Sequence, residues 1–494
     1  MAAEKIILDA GERSLEIPTG LFINNEFLPS HTGDTLDTLN PATGEKLATV
    51  SAASKHDIDA AVEAAKLAFK SWKDTLPTTR QALLLKLADL IERDAEDLAA
   101  LEALDGGILL SQSSGMHIPN ATATLRYFAG WADKIDGRSI NIPTGIAYTR
   151  REPIGVCAAI VPWNAPLVVT IWKLAPCLVA GNTLIIKSSE LTPLYGIKLA
   201  MLTKEAGFPP GVVNILAGLG PVAGQALAEH MEVRKVAFTG SVLTGRSILK
   251  AAAASNLKKV TLELGGKGPT IIFNDADFDN AVLWASVGIT AHNGQICAAG
   301  SRIYVQEGIY ENFIAAFKEA SQKAILGDPL LATTTKGPIV SATQHANIMS
   351  YIEKGKQEGA RLLHGGAVPS DGSQSVENTA FVDVGEDMTI MKEEIFGPVA
   401  AIAKFKTEDE VIEKANNTEY GLSSAIFTND ISRAHRISNA LECGQVTVNA
   451  WGTLNPNLPF GGVKQSGYGR DMGEESLDGW TVVKAVSYNM LPPQ

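Results

Sequence analysis

The chain has 494 residues, 45% hydrophobic and 19% charged, which reads as globular and too long for one ordinary core, so two large domains plus an appendage are expected. Its 42 basic against 54 acidic residues leave a formal charge of −12, which repels nucleic acid and anionic membrane, and no run of Lys or Arg provides a local exception. Four widely spaced cysteines without a Cys-x-x-Cys pair indicate neither a disulfide framework nor a metal cluster and fit a reducing compartment.

Residues 1–10 carry Glu4, Lys5 and Asp9 around a short apolar run, too weak for a signal peptide and too acidic for a transit peptide. Residues 491–494 match no retention or peroxisomal address, so a cytoplasmic location is expected. Residues 57–69 and 80–104 are rich in Ala, Leu and Glu at helical spacing and predict two covering helices, the first capped by Asp57 beside Ile58. An extended segment follows at 131–149. Apolar or β-branched runs at 156–161, 183–187, 213–216 and 235–238 predict strands, with helices at 195–205 and 221–230 between them. This alternation predicts parallel βαβ units with ligand at the C-terminal strand ends.

The most apolar stretch, 155–187, is broken by Pro162, Asn164, Pro166, Lys173 and Pro176, so no lipid-spanning helix of ~20 residues survives. It reads as buried strands and a helix around an internal site. After Glu263 a second series begins, with strands at 270–273 and 302–305 and helices at 276–288 and 309–323. A second α/β domain is therefore expected, with a cleft between the two. An extended segment at 479–486 closes the chain.

Three segments carry chemistry. Leu262-Glu263-Leu264-Gly265-Gly266-Lys267 and Asn293-Gly294-Gln295-Ile296-Cys297-Ala298-Ala299-Gly300 set a carboxylate and a thiol in Gly-rich loops. A thiolate attacks carbonyl carbon, but a free thiol of pKa ~8.5 is little ionised near neutrality, so a base such as Glu263 helps. Val161-Pro162-Trp163-Asn164-Ala165-Pro166 adds an amide suited to a developing oxyanion. For phosphate, Phe238-Thr239-Gly240-Ser241-Val242-Leu243-Thr244-Gly245 follows a predicted strand and opens a helix, whereas Gly218 to Gly224 is one residue too wide for Gly-x-Gly-x-x-Gly. Taken singly, these are also a buried small thiol, a surface charge and ordinary turns.

Together they resemble, almost residue for residue, the signatures of the NAD(P)-dependent aldehyde dehydrogenase family, from about Phe22 to the last helical stretch. The resemblance implies an α/β fold with three parts. A Rossmann-like cofactor domain takes 1–130 and 150–262, a second α/β catalytic domain takes 263–474, and a small oligomerisation sheet takes 131–149 and 475–494. In the family that sheet joins subunits into homodimers or homotetramers.

The implied reaction oxidises an aldehyde to its acid. Cys297 adds to the carbonyl, hydride passes to nicotinamide C4, and water activated by Glu263 hydrolyses the thioester. Asn164 and the Cys297 N–H hold the oxyanion, and Lys173 matches a lysine on a proton path, although a snorkelling helix lysine reads as well. The resemblance assigns cofactor contacts to Trp163, Lys187, Glu190, Gly220, Gly240, Ser241, Gly245, Leu264, Glu394 and Phe396. Lys187 and Glu190 would bind the adenosine ribose, and the Glu190 carboxylate repels a 2′-phosphate, favouring NAD over NADP. Glu394 and Phe396 would meet the nicotinamide ribose and ring. No metal is implied.

Ala165, Val168, Val169, Trp172, Ala291, Ile296, Leu454 and Phe460 match the family's substrate tunnel. Relatives specialised for small aldehydes place aromatic rings where this chain has Ala165, Ala291 and Leu454, so a wide tunnel and a medium or bulky apolar aldehyde are expected. The loop 372–379 departs from the usual Gly-Tyr-Phe pattern. His292, near Cys297, invites a Cys-His hydrolase reading but matches no family function. The segment 459–467 matches a substrate-side loop near the subunit contact. Alternatives on the same fold are a coenzyme A-acylating enzyme, which generally lacks the Glu263 base, a thiol esterase, and a non-catalytic structural relative.

Overall fold

The computed structural model describes residues 4–11, 13–143, 145–369 and 374–490. Among them, two large sheets, a three-stranded one and two two-stranded hairpins, Lys5–Ala10 with Arg13–Pro18 and Thr35–Leu39 with Lys46–Ser51, organise the chain. In the first large sheet five parallel strands stand in the order Lys259–Glu263, Lys235–Thr239, Val156–Ile160, Thr183–Ser188, Val213–Ala217. The inner three are buried along nearly their whole length, as a parallel sheet covered by helices on both faces requires. The chain steps outward from Val156–Ile160 to Val213–Ala217, then returns to the other side at Lys235–Thr239. The topological switch, where such sheets bind ligands, thus lies between Val156–Ile160 and Lys235–Thr239. Leu21–Ile23 and Glu26–Leu28 extend one edge, and Gly467–Tyr468 pairs antiparallel with Lys259–Glu263 at the other, so backbone from 263–474 also reaches into this sheet.

The second large sheet runs Arg361–His364, Thr379–Val382, Val399–Phe405, Arg302–Gln306, Pro269–Ile272, Ser423–Phe427, Gln445–Val448, parallel except for its first strand. The small sheet pairs Ser139–Ile142, Gly145–Pro153 and Thr481–Asn489 in antiparallel register. Its middle strand continues past the expected end at 149, because Thr481 pairs with Pro153 and Val482 with Glu152.

Three helix expectations change. Lys55–Trp72 is capped by Ser54, not Asp57: the Ser54 hydroxyl accepts from Asp57 N–H, and the Asp57 carboxylate accepts from Ser54 N–H at 2.8 Å, a reciprocal box with Asp57 in the first turn. The span 80–104 is two helices, Pro77–Arg93 and Ala95–Gly106. Asp94 leaves helical geometry at φ −100° and ψ 24°, with its carboxylate held by Arg93 and Lys198. The span 221–230 opens as a π-turn, Gly220–Gly224, before the helix Gln225–Glu229.

Pro166–Val179 is buried at every position, which fits a helix that is apolar all round except for Thr170 and Lys173. It packs among Leu87, Ile91, Leu125 and Tyr195 in the largest core cluster. No helix among the described residues is long and apolar enough to cross a membrane. Gly372 and Ser373 of the atypical loop, and 491–494, lie outside the described residues. The rest of that loop is anchored, with Ile339 N–H donating to the Gln374 carbonyl at 2.8 Å and Asn378 Nδ2 to the Ser321 carbonyl at 2.7 Å.

Candidate active site

The C-terminal edge of the first sheet meets the N-terminal edge of the second. From the first come the segments after Ile160, Thr239 and Glu263; from the second come those before Arg302 and Val399 and the opening residues of Ser423–Phe427. Together they line one cavity of about 780 Å³. The expectation of ligand at C-terminal strand ends therefore describes the first sheet alone. Close approach of the two edges depends on Gly266, where an added Cβ would strike the carbonyl oxygen of Cys297.

Cys297 follows a tight turn in which His292, Asn293 and Gly294 take left-handed φ of 46°, 55° and 66°. Such backbone is strained for a side-chain-bearing residue and persists only where the surroundings hold it. Asn293 supplies that hold: its Nδ2 donates to the Gly337 and Pro338 carbonyls at 3.0 and 3.1 Å, and its Oδ1 accepts from buried Lys336 at 2.6 Å. Burial first, then the Glu394 and Glu263 carboxylates, push the Cys297 thiol up to about 12. At rest it is a thiol.

Glu263 ends a buried strand. Its Oε1 rests against Gly461, and its Oε2 is buried with no hydrogen-bond partner among the described residues. Burial and the Asp471 charge push it well above the usual carboxylate range, while Lys173 and Arg470 act against the rise. Lys173 is 1% exposed and pairs with Asp471 at 2.7 Å, so it does not snorkel to solvent. Asn164 Nδ2 donates to the Gln295 carbonyl at 2.8 Å, and Gln295 is itself held by Val340 N–H on its Oε1 at 3.1 Å. The Asn164 amide thus reaches from the first sheet to the braced turn that carries the thiol.

On the neighbouring wall, Ser241 caps Val242–Ala254 by accepting from Thr244 N–H, and the buried Thr239 Oγ1 has no partner among the described residues. Phe396 meets Trp163 edge-on at 5.3 Å. Glu394 accepts from Gly266 N–H at 3.0 Å, and burial pushes it up to about 7.

The aldehyde dehydrogenase family model matches residues 27–486. The chain belongs to the aldehyde dehydrogenase family. It is 50% identical over 477 residues to an aldehyde dehydrogenase of Davidiella tassiana, covering 96% of each chain. It is also 50% identical over 473 residues to aldehyde dehydrogenase 1A1 of Ovis aries, covering 95% of this chain and 94% of the relative. The NAD+ complex structure of the Bacillus cereus aldehyde dehydrogenase superposes with a TM-score of 0.94 at 45% identity, over 96% of this chain and 97% of that one. The chain is an oxidoreductase of aldehydes.

Within this aldehyde dehydrogenase, Cys297, Glu263, Asn164, Trp163, Gly240, Ser241, Leu264, Glu394 and Phe396 line the common cavity, as do all eight expected tunnel residues. Lys173 lies behind it. Lys187, Glu190, Gly220 and Gly245 are not on its wall. Lys187 and Glu190 form a 2.9 Å ion pair at the C-terminal end of Thr183–Ser188, Gly220 opens the π-turn after Val213–Ala217, and Gly245 packs on Leu264. Trp172 meets Phe460 at a tilt of 46° with ring centroids 5.0 Å apart, and donates to Asn120 Oδ1 at 2.7 Å.

Sequence reasoning missed Asp471, Gln295, Trp284, Trp451 and the cluster Gln112, Met116, His117 and Asn120, none of which carries a local signature. Among the described residues, the cavity lining contains no Lys or Arg.

Proposed function

We propose that this enzyme oxidises medium or bulky apolar aldehydes with NAD, through a thioester on Cys297 that water hydrolyses with Glu263 as general base. The observation that carries the reading is one cavity holding Cys297, Glu263 and Asn164, with the Lys173–Asp471 pair beside the glutamate.

The residues fit a dinucleotide. The orphaned Thr239 hydroxyl, the N-terminus of Val242–Ala254 and the open backbone at Gly220 lie along the C-terminal edge of the first sheet, and the Lys187–Glu190 pair offers a donor and an acceptor for ribose hydroxyls. The Bacillus cereus relative with its NAD+ supports the choice. When bound, NAD supplies the hydride acceptor.

The protein's own work is proton and charge handling. Cys297 Sγ bonds to the carbonyl carbon as its proton passes to ionised Glu263, and the Asn164 amide with the Cys297 N–H receives the developing oxyanion. Loss of hydride re-forms the carbonyl as a thioester. Glu263 then takes a proton from water, whose oxygen attacks the thioester carbon; the C–S bond breaks, the acid leaves, and Cys297 departs as thiolate. Between these steps the proton on Glu263 moves toward Lys173–Asp471. General-base help of this kind is worth ~10² to 10⁴ in rate.

The absence of aromatic rings at Ala165, Ala291 and Leu454, which line the cavity with Trp172 and Phe460, supports the substrate class. On the third sheet, exposed Ile146 and Val483 support pairing between copies of the chain. The test is NADH absorbance with a panel from acetaldehyde to decanal and benzaldehyde, with no coenzyme A added, beside Cys297→Ala. Signal from the native protein alone supports the thiol mechanism; a requirement for coenzyme A, or a faster rate on acetaldehyde than on benzaldehyde and decanal, counts against the reading.

A further inference from the structure

Gln112, Met116, His117 and Asn120 line the cavity from one stretch of chain, and the mechanism proposed above uses none of them. The helical repeat there widens to a π-turn over Ser113–His117, a feature frequent at functional sites. Here His117 turns inward and is 1% exposed.

Behind it stands Glu102, wholly buried. Its Oε2 accepts from Ser113 Oγ at 2.6 Å and pairs with His117 Nδ1 at 2.9 Å, and its Oε1 accepts from Leu167 N–H at 3.1 Å. Burial works against ionisation, yet His117, Ser113 and the Leu167 N–H together hold Glu102 below the usual carboxylate range. An ionised carboxylate only accepts, so Nδ1 carries the proton and Nε2 is the ring nitrogen left for the cavity. Neutral, that nitrogen accepts a hydrogen bond; protonated, it donates. A hydroxyl group satisfies either state.

The facing walls are apolar, with Val168, Trp172, Trp284, Leu454 and Phe460. The titratable groups on the cavity are the acids Glu263, Glu394 and Asp471, the thiol Cys297, and His292 with His117. A carboxylate on the substrate would therefore meet acids and no cationic Lys or Arg. A neutral hydroxyl meets no such repulsion.

We infer that His117, fixed by Glu102, is a specificity residue that hydrogen-bonds a hydroxyl group on the aldehyde, so that hydroxylated apolar aldehydes are preferred to plain hydrocarbon ones. The inference rests on the wide apolar tunnel proposed above. An aldehyde without the hydroxyl leaves a desolvated imidazole nitrogen unpaired, and this asymmetry makes polar recognition selective.

The test is kcat/KM for benzaldehyde and for 2-, 3- and 4-hydroxybenzaldehyde. At least one isomer should exceed benzaldehyde by about ten-fold, the size of one well-made hydrogen bond. That ratio should fall to near one in His117→Leu. It should fall equally in the double variant His117→Leu with Glu102→Gln, which removes the buried charge together with its partner and so protects the fold. A ratio near one for every isomer in the native enzyme overturns the inference, as does an advantage that survives in both variants. Fast turnover of acetaldehyde with slow turnover of all four aromatic aldehydes overturns the wide tunnel instead, and this inference with it.

Discussion

Lys173 Nζ and Asp471 Oδ2 meet at 2.7 Å although 298 residues separate them in the chain, and they act on Glu263 with opposite signs. Asp471 pushes the Glu263 carboxyl up, together with burial, and Lys173 pulls it down. Because Glu263 must be ionised to act as a base, kcat should rise with pH as it loses its proton. Lys173→Met removes the cation and should move that rise to higher pH; Asp471→Asn removes the anion and should move it lower. Profiles of kcat against pH that shift in the same direction, or in neither variant, would refute the electrostatic role of the pair.

Glu263→Gln keeps shape and removes the base, so turnover should fall by ~10² to 10⁴. If hydrolysis is the step that needs Glu263, a burst of NADH should still appear on mixing, which stopped-flow absorbance measures. Stability gives a second reading. A carboxyl whose folded pKa is raised contributes stability that is full below about 4.5 and lost as pH rises through the folded value. The pH-independent glutamine should therefore gain in Tm over the native protein as pH rises above the ordinary carboxylate range.

Asn164→Ala deletes the side-chain donor aimed beside Cys297. Loss of one oxyanion donor typically costs ~10² to 10³ in kcat, with cofactor affinity unaffected. Equal losses in NAD affinity, by fluorescence titration, would mean that the residue shapes the fold of the cleft instead.

Ala291→Phe places a ring in the tunnel beside the strained turn. Decanal and benzaldehyde should lose at least about ten-fold in kcat/KM relative to acetaldehyde, in line with the effect of a misfitted group of a methylene or more in an apolar pocket. Uniform loss across all three would show that the turn, not the tunnel, was disturbed.

Lys267 is 1% exposed, its Nζ has no hydrogen-bond partner among the described residues, and burial, then Arg302, push it down to about 7. The unfolded chain keeps this proton to ~10.4, so native stability rises with pH between the two values. Lys267→Met should stabilise by about 1–3 kcal/mol below pH 7, and the gain should shrink toward pH 10. Urea midpoints at pH 6 and 9 check the sign.

Much of this molecule was legible in one dimension. The strands Val156–Ile160, Thr183–Ser188, Val213–Ala217 and Lys235–Thr239 fall within a residue or two of their expected bounds, because a buried parallel strand is a short apolar run and needs no partner to be recognised. Cys297, Glu263 and Asn164 stand in glycine- and proline-marked segments, where local backbone requirements leave a local signature. The cap of Lys55–Trp72 was misread for a related reason: Asp57 is a good cap by type, but Ser54 stands at the residue where the backbone leaves the helix.

What the residues determined alone was the strand series of the first sheet, the opening of the second, and the segments that carry the thiol, the carboxylate and the amide, since period, turn chemistry and residue type are properties of neighbours in sequence. Tertiary structure decided which edge of the second sheet faces the first, that Asp471 reaches Lys173, that Glu102 holds His117 at the cavity wall, and that burial and Asp471 raise Glu263 above the usual carboxylate range. Each of these depends on how two distant elements pack and on the water removed between them, and no local run of residues encodes the distance to a partner hundreds of positions away.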